Sequence, residues 1–270
     1  MLNSIICGNC IDIMRQMPDG YIDLTVTSPP YDNLRDYEGY DFDFRTVAKE
    51  LYRVTKGGGV VVWVVGDATI NGSETGTSFR QALYFKDIGF NLHDTMIYKK
   101  DACPYPETNR YYQSFDYMFV LSKGKPKTTN LIRDKLNKTY GSRVASTDRQ
   151  SDGSLVPSSG AKTRRTIKRY GVRTNIWCYG IGKGKTTTDE YAYKHPAMFP
   201  EQLAEDHIVS WSNPGDIVLD PMCGSGTTCK MAVKNERNYI GIDISEEYVE
   251  IARRRIADYT AQLRLPFGVL

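Results

Sequence analysis

The strongest constraint on the fold lies near the C-terminus, where an apolar run, a glycine-rich loop, a helical stretch, a second apolar run and an acid follow one another closely. The first run is Ile217-Val218-Leu219, the loop is Asp220-Pro221-Met222-Cys223-Gly224-Ser225-Gly226-Thr227-Thr228, and the second run, Tyr239-Ile240-Gly241-Ile242, ends at Asp243. In a doubly wound sheet, such glycines let the backbone approach a ligand at a helix N-terminus, and the acid binds ribose hydroxyls. Asp243 follows Gly224 by 19 residues, close to the roughly 20 expected for that acid. The pattern therefore predicts the nucleotide-binding half of a doubly wound, mostly parallel α/β fold.

Two other interpretations of this loop are a dinucleotide site and an ordinary glycine turn with an acidic cap. The loop lacks the third glycine of the dinucleotide pattern, and the order of the three elements argues against a plain turn. Only 27 residues follow Asp243, which suffices for one helix. The other strands must then come from the N-terminal part, so we expect a circularly ordered sheet whose cofactor half comes last.

A second feature is the pentapeptide Thr27-Ser28-Pro29-Pro30-Tyr31, which directly follows the apolar run Asp23-Leu24-Thr25-Val26. Two prolines cannot continue a strand, so the run is predicted to end in a rigid turn. The turn offers a hydroxyl, a locked carbonyl and an aromatic ring, which suit a planar heterocycle bearing an amino group. Taken alone, the pentapeptide fits an ordinary strand-end turn with a core tyrosine equally well.

The rest of the chain alternates between predicted strands and helices, which is typical of an α/β layer fold. The run of valines and Trp63 at 60–65 predicts a strand buried on both faces. Further strands are expected at 5–7, 92–98 and 117–121. Helices are expected at 10–17, at 41–55 (ended by the glycines 57–59) and at 78–88. Three more are expected from Pro200 to about 210, from the glycine loop to about 233, and at 246–263.

Charge is unevenly distributed along the chain, although the formal net charge is only +3. Residues 123–185 contain 16 lysines and arginines against three acids, interleaved with the aromatic residues Tyr170, Trp177 and Tyr179. This predicts a polyanion-binding insertion in which aromatic residues add stacking, with a solvated basic linker as the alternative. We therefore divide the chain into a catalytic part (1–122), a basic target-recognition insertion (123–185) and a cofactor-binding part of the same domain (186–270).

Other functional classes are not expected. Cys7-Gly8-Asn9-Cys10 matches a C-x-x-C pattern, but no second pair follows, and none of the three histidines has zinc-finger spacing. No apolar run is long enough to span a membrane, and no basic segment followed by an apolar one opens the chain. We expect a cytoplasmic protein with reduced thiols and no metal.

Together these motifs resemble those of the amino-directed, S-adenosylmethionine-dependent DNA methyltransferases of the β arrangement. Ser28-Pro29-Pro30-Tyr31 is similar to their catalytic motif, His195-Pro196-Ala197 with Phe199-Pro200 to a helix entry on the methionine side, and 220–228 with Gly241-Ile242-Asp243 to their cofactor motifs. The resemblance implies a Rossmann-like methyltransferase sheet. It implies catalytic roles for Ser28, Pro29, Pro30 and Tyr31. It implies cofactor binding by Asn9, Cys10, His195, Phe199, Asp220, Pro221, Cys223, Gly224, Ser225, Gly226, Thr227, Thr228 and Asp243.

Two departures from the family pattern bear on the chemistry. Gly8-Asn9-Cys10 stands where Gly-Asp-Cys is common, so a side-chain amide would replace a carboxylate near the adenine of the cofactor. Ser28 stands where members that modify adenine usually have Asp or Asn. A serine is more similar to the members that methylate the N4 amino group of cytosine, which is therefore the expected target, with adenine N6 as the alternative.

The resemblance also implies partners. Double-stranded DNA is expected as the substrate, with a flipped base entering the site, and a second copy of the chain and a cognate restriction endonuclease are further candidate partners. The rival classes are an RNA or release-factor methyltransferase with a related turn, in which the cofactor half normally comes first, and a nucleic-acid-binding module without activity.

Overall fold

The computed structural model describes residues 1–31, 42–102, 109–195 and 198–264. Its main sheet has eight strands: β1 (Ser4–Cys7), β2 (Ile22–Thr27), β3 (Thr55–Val65), β4 (Asn91–Lys100), β5 (Phe115–Ser122), β6 (Ile176–Tyr179), β7 (Ile217–Asp220) and β8 (Asn238–Asp243). Six helices accompany it: α1 (Cys10–Arg15), α2 (Phe44–Val54), α3 (Thr77–Asp87), α4 (Glu201–Trp211), α5 (Thr227–Lys234) and α6 (Glu246–Arg264). The α/β class predicted from the sequence is confirmed.

The strand order across the sheet is β1-β8-β7-β2-β3-β5-β4-β6. All neighbours are parallel except for the two pairs that involve β5. The first strand pairs with the last, with Ser4 opposite Ile240 and Cys7 opposite Asp243. Strand β2, which leads to Ser28, lies next to β7, which leads to the glycine loop, and this is the circular order that the sequence predicts.

The core forms around β3, because its valine-rich half is buried on both faces. Residues 60–65 are each at most 1% exposed. Side chains alternate along a strand, so Val61, Trp63 and Val65 pack in one cluster with α1, α2 and α3. Helices α5 and α6 pack in a second cluster beside β1 and β8.

The glycines at 57–59 do not end a helix, contrary to the sequence prediction. Helix α2 ends at Val54 and β3 begins at once with Thr55, so the glycines lie inside the strand. A Cβ on Gly59 would lie 3.0 Å from the carbonyl oxygen of Asp23, and Gly58 has φ +82°. Glycine is therefore required here for close approach of two backbones. Asp41, the expected start of that helix, lies outside the described residues.

Two aromatic residues assigned to nucleic-acid stacking lie in the main sheet instead. β6 pairs in parallel with β4, opposing Trp177 to Tyr98. Trp177 and Tyr179 are 6% and 8% exposed, and the Tyr179 hydroxyl donates to Asp206 at 2.7 Å. Their burial excludes stacking with a base. The β-branched and aromatic composition of this stretch is the signal of a strand.

Residues Leu131–Thr174 form a separate small unit. It holds two short antiparallel strand pairs, Lys135–Leu136 with Tyr170–Gly171 and Thr147–Arg149 with Leu155–Pro157, and one helical turn, Ser159–Lys162. It contains 11 lysines and arginines against three acids. Leu136, Tyr140, Leu155 and Tyr170 are exposed on it.

Residues 123–130 and 175–185, which the sequence analysis assigned to the insertion, fall with the larger unit. The Lys123 ammonium donates to the carbonyls of Tyr52 and Thr55, and Asn130 N–H donates to the carbonyl of Ser210. None of the helices within the described ranges combines the length and the apolar character needed to cross a membrane.

Candidate active site

A cavity of about 570 Å³ opens at the carboxyl ends of the parallel strands. Gly8, Ser28, Gly66, Pro221 and Ile244, which follow β1, β2, β3, β7 and β8, all line it. Ligands of open α/β sheets bind at this edge. Most of the site residues implied by the sequence meet here: Asn9, Cys10, Ser28, Pro29, Pro30, Tyr31, His195, Phe199, Asp220, Pro221, Cys223, Gly224, Ser225, Thr227 and Asp243.

Hydrogen bonds from the hydroxyl groups of Thr27, Ser28 and Tyr31 hold the turn after β2. The Thr27 hydroxyl donates to Asp220 Oδ1 at 2.7 Å, which joins the end of β2 to the end of β7. The Ser28 hydroxyl donates to the Tyr31 oxygen at 3.1 Å, and the Tyr31 hydroxyl in turn points to the Val64 carbonyl at 3.5 Å. Because Ser28 uses its only hydrogen in this way, its oxygen keeps its lone pairs for an incoming donor.

The glycine loop is tied to the acid at the end of β8. Asp243 accepts hydrogen bonds from the backbone N–H of Gly224 at 2.8 Å and of Ser245 at 3.0 Å. Burial raises the pKa of Asp243, and the backbone N–H groups around it oppose that rise in part. Gly224 has φ +48°, and a Cβ there would lie 2.5 Å from Nε2 of His195. A side chain at position 224 would therefore strain the loop and collide with the histidine.

Asp220 is the most deeply buried carboxyl group of the site, at 2% exposed. Its oxygen Oδ1 accepts from the Thr27 hydroxyl and from the Met222 N–H at 3.2 Å. Burial raises its pKa to about 6 despite these hydrogen bonds. Its charge therefore changes within the range of pH in which many enzymes work.

Two residues of the predicted set do not line the cavity. Gly226 has φ +78°, and a Cβ there would lie 2.6 Å from Cβ of Ala252, so this glycine permits α6 to pack against the loop. The Thr228 hydroxyl donates to the Val26 carbonyl at 3.0 Å and is fully buried. Both positions serve the packing of the loop.

The C-x-x-C segment forms the end of a strand and the start of a helix. Asn9 is the N-cap of α1, with its side-chain oxygen accepting from the Ile11 N–H at 2.8 Å. Burial raises the pKa of Cys10 to about 11, so its thiol stays protonated. Within the described ranges, no three His, Cys, Asp or Glu side chains converge as a metal site would require.

The wall of the cavity also includes His195, which lies beside Gly224 of the glycine loop, and Phe199. The His195 ring meets the Tyr248 ring edge-on, with centroids 4.4 Å apart. Pro196 and Ala197, which complete the motif implied by the resemblance, lie outside the described residues.

Several lining residues were missed by the sequence analysis. Lys100 and Asp116 form an ion pair at 2.9 Å, and Asp67 and Tyr248 also line the cavity. Lys100 ends β4 and Asp116 lies near the start of β5, so only the antiparallel pairing of these strands brings them together. A polar residue at the end of a predicted strand was the available signal, and by itself it is a weak one.

Comparison with known proteins agrees with this geometry. The family model N6_N4_Mtase, described as DNA methylase, matches residues 22–254. The orphan methyltransferase M.BamHII of Bacillus amyloliquefaciens is 60% identical over 243 residues, which cover 89% of this chain and 91% of that protein. The type II methyltransferase M.SmaI of Serratia marcescens is 27% identical, covering 93% of this chain and 90% of its own length.

Solved structures show the same fold. The PvuII DNA methyltransferase, which is cytosine-N4-specific, superposes with a TM-score of 0.68 at 20% identity, covering 97% of this chain and 93% of its own. The complex of M1.HpyAVI with S-adenosylmethionine superposes with a TM-score of 0.62 at 22% identity, covering 93% of this chain and 98% of its own.

Proposed function

The chain belongs to the DNA methylase family that the N6_N4_Mtase model describes, and from this premise we propose that it methylates the N4 amino group of a cytosine flipped out of DNA. It is a DNA methyltransferase that uses S-adenosylmethionine. The choice of cytosine is carried by Ser28, which lines the cavity at the position where family members that modify adenine usually have Asp or Asn. Methylation of adenine N6 by the same geometry is the alternative.

The residues of the cavity fit S-adenosylmethionine. Asp243 supplies a carboxylate for ribose hydroxyls, and Gly224 lets the loop backbone approach a ligand. Aromatic side chains of Phe199 and Tyr248 line the same space. When bound, the cofactor supplies an electrophilic methyl group.

The acceptor side of the cavity is built to hold an amino group. The exocyclic amine of a base is a poor nucleophile, because its lone pair is delocalised into the ring. In our proposal the Ser28 oxygen and the Pro29 carbonyl accept its two hydrogens and favour a pyramidal nitrogen. Charge develops on that nitrogen during methyl transfer, so acceptors fixed at this point stabilise the transition state more than the ground state. Tyr31 contributes a face for stacking and Pro30 rigidity.

The modified base identifies the target directly. Plasmid DNA incubated with the purified protein and S-adenosylmethionine is digested to nucleosides and analysed by mass spectrometry. We expect N4-methylcytosine. N6-methyladenine as the only product would overturn the assignment to cytosine.

Ser28→Ala tests the role of the hydroxyl. We expect the rate of methyl transfer at saturating cofactor to fall on the order of 100-fold, with the affinity for S-adenosylmethionine unchanged. Thr25→Val, on the strand that leads to Ser28, is the matched control, because the buried Thr25 hydroxyl has no hydrogen-bond partner among the described residues and the replacement has the same shape. A normal rate in Ser28→Ala would refute the role.

We further propose that the unit 131–174 binds the DNA backbone. Its 11 basic residues against three acids favour a polyanion, and Arg164 and Arg165 are exposed on it. Replacing both arginines by alanine should reduce the slope of log K for DNA binding against log salt concentration by about two. Lys86→Ala, an exposed cation of the larger unit, is the control. An unchanged slope in the double variant would contradict the proposal.

We also propose that the protein acts in the cytoplasm and that it associates with a second copy of itself. Association is supported by α3, which exposes the apolar side chains of Phe79 and Leu83, one turn apart, at 49% and 58%. Sedimentation of the wild type and Leu83→Glu tests this self-association, and a monomeric wild type would exclude it.

The family includes methyltransferases of restriction–modification systems, such as the type II M.SmaI. The relative at 60% identity is an orphan, so we propose that this chain acts without a cognate endonuclease. Cells whose DNA carries the methylation, and whose extracts do not cleave unmethylated DNA, would support the proposal that no cognate endonuclease is present.

A further inference from the structure

Arg255, on α6, is a buried arginine whose guanidinium lies behind the glycine loop. Its side chain is 0% exposed and forms ion pairs with Asp189 at 2.8 Å and Glu201 at 2.6 Å. Lys230, on α5, pairs with the same two carboxylates at 2.7 and 2.9 Å. Two cations and two carboxylates thus balance in charge, as a buried network requires.

Asp189 stays ionised in this network. Burial by itself would raise the pKa of Asp189, but hydrogen bonds from Lys230 and Arg255 outweigh it and lower the pKa. Asp189 and Glu201 flank the stretch that carries His195 and Phe199. The network therefore ties both ends of that cavity wall to α5 and α6.

The same guanidinium also contacts the glycine loop. Nη1 of Arg255 donates to the Ser225 carbonyl at 2.8 Å and to the hydroxyl oxygens of Ser225 and Thr227, each at 3.1 Å. A guanidinium has only donors, so each hydroxyl must accept and keeps its own hydrogen to donate. Neither hydrogen has an acceptor among the described residues, although Ser225 and Thr227 are only 2% and 5% exposed. Both residues line the cavity.

We propose that Arg255 is a positioning residue that sets the Ser225 and Thr227 hydroxyls as donors toward the carboxylate of the methionine part of S-adenosylmethionine. That carboxylate is the only anionic group of the cofactor, since its ribose and adenine are neutral and its sulfonium and amine are cationic. The described cavity lining carries five carboxylates and, among lysines and arginines, only Lys100, which is paired with Asp116. An anionic group that enters the cavity must therefore be bound by neutral hydrogen-bond donors. The inference rests on the use of S-adenosylmethionine and is independent of the target base.

Arg255→Lys tests the proposal, because it keeps the charge but loses the planar fork that reaches carboxylates and hydroxyls together. Binding is measured by calorimetry without DNA, with S-adenosylmethionine and with its decarboxylated analogue. We expect the dissociation constant for S-adenosylmethionine to rise about tenfold or more, while that for the decarboxylated analogue stays within about twofold. A purely structural role would weaken both ligands equally.

Arg237→Lys is the matched control, since Arg237 is another buried arginine that donates to a serine hydroxyl and to backbone carbonyls, and it does not line the cavity. It should lower the melting temperature without changing either affinity. If Arg255→Lys fails to fold, Thr227→Val removes one donor directly and should show the same selective loss. Equal losses for the two ligands, or an unchanged affinity for S-adenosylmethionine, would overturn the proposal.

Discussion

Asp220→Asn is expected to stabilise the fold above pH 6 and to have little effect near pH 4. Burial raises the pKa of the wild-type carboxyl from its ordinary value of 3.8 to about 6. A group with a raised pKa stabilises the fold fully below its unfolded pKa, and that contribution is lost as the pH rises through the folded pKa. At 1.36 kcal/mol per pKa unit, the ionised carboxylate costs about 3 kcal/mol of unfolding free energy at pH 8. By the same relation, roughly half of this cost remains at pH 5 and about a fifth of it at pH 4.

The asparagine keeps the local hydrogen bonds, so the charge is the main change. Its carbonyl oxygen can still accept from the Thr27 hydroxyl and the Met222 N–H. Its new amide group lies beside the Thr228 hydroxyl, whose own hydrogen goes to the Val26 carbonyl and whose oxygen can accept. No buried polar atom is left without a partner, which would otherwise mask the gain.

The assay is urea unfolding of the wild type and the variant at pH 4.5, 6 and 8. The difference in unfolding free energy should grow across this series toward a few kcal/mol and level off above pH 7. Asp12→Asn is the control, because Asp12 is exposed and makes only a loose ion pair with Arg15 at 3.4 Å; its effect should stay below about 0.5 kcal/mol at every pH. A difference for Asp220→Asn that is flat across pH, or a loss of stability at pH 8, would refute the reasoning.

Three further substitutions test other parts of the structure. Asp243→Ala should weaken S-adenosylmethionine binding by about 1.5–3 kcal/mol through lost hydrogen bonds to a charged acceptor, and unchanged affinity by calorimetry would exclude the ribose role. Gly226→Ala should cost about 2 kcal/mol or more of unfolding free energy, because its Cβ would lie 2.6 Å from that of Ala252 at φ +78°; a melting temperature equal to the wild type would contradict this. Trp63→Phe should cost about 1–3 kcal/mol, since it removes the 2.8 Å hydrogen bond to Gln81 and leaves a void in a fully buried site; urea unfolding that is unchanged would argue against a tightly packed core.

Local patterns in the sequence located two segments of the cavity lining, the turn after β2 and the glycine loop. The two prolines after Thr27 marked the end of β2, and the spacing from Gly224 to Asp243 located the loop and the acid that bonds to it. These signals are short-range, because a turn or a helix start depends on a few neighbouring residues. The circular order of the two halves is seen in the pairing of β1 with β8 and of β2 with β7.

Long-range pairing was not visible in the same way. The glycines at 57–59 were expected to end a helix, since nothing local shows that the Asp23 carbonyl approaches Gly59. Trp177 was assigned to DNA contact because its neighbours in sequence are basic, whereas its pairing partner is Tyr98 of β4. Arg255 reads as one charge on an amphipathic helix, and only the fold reveals that it reaches the glycine loop.

The pairing of β2 with β7 has a consequence for synthesis of the chain on the ribosome. The bond between Thr27 and Asp220 spans 193 residues, so at about 5–20 residues per second β2 waits roughly 10–40 s for its neighbour. Until then its apolar edge is uncovered, and the turn at Ser28 has no glycine loop facing it. A nascent chain can therefore display the basic 131–174 segment well before it can transfer a methyl group. Interrupted translation would yield fragments that carry this positive charge and lack the means to modify DNA.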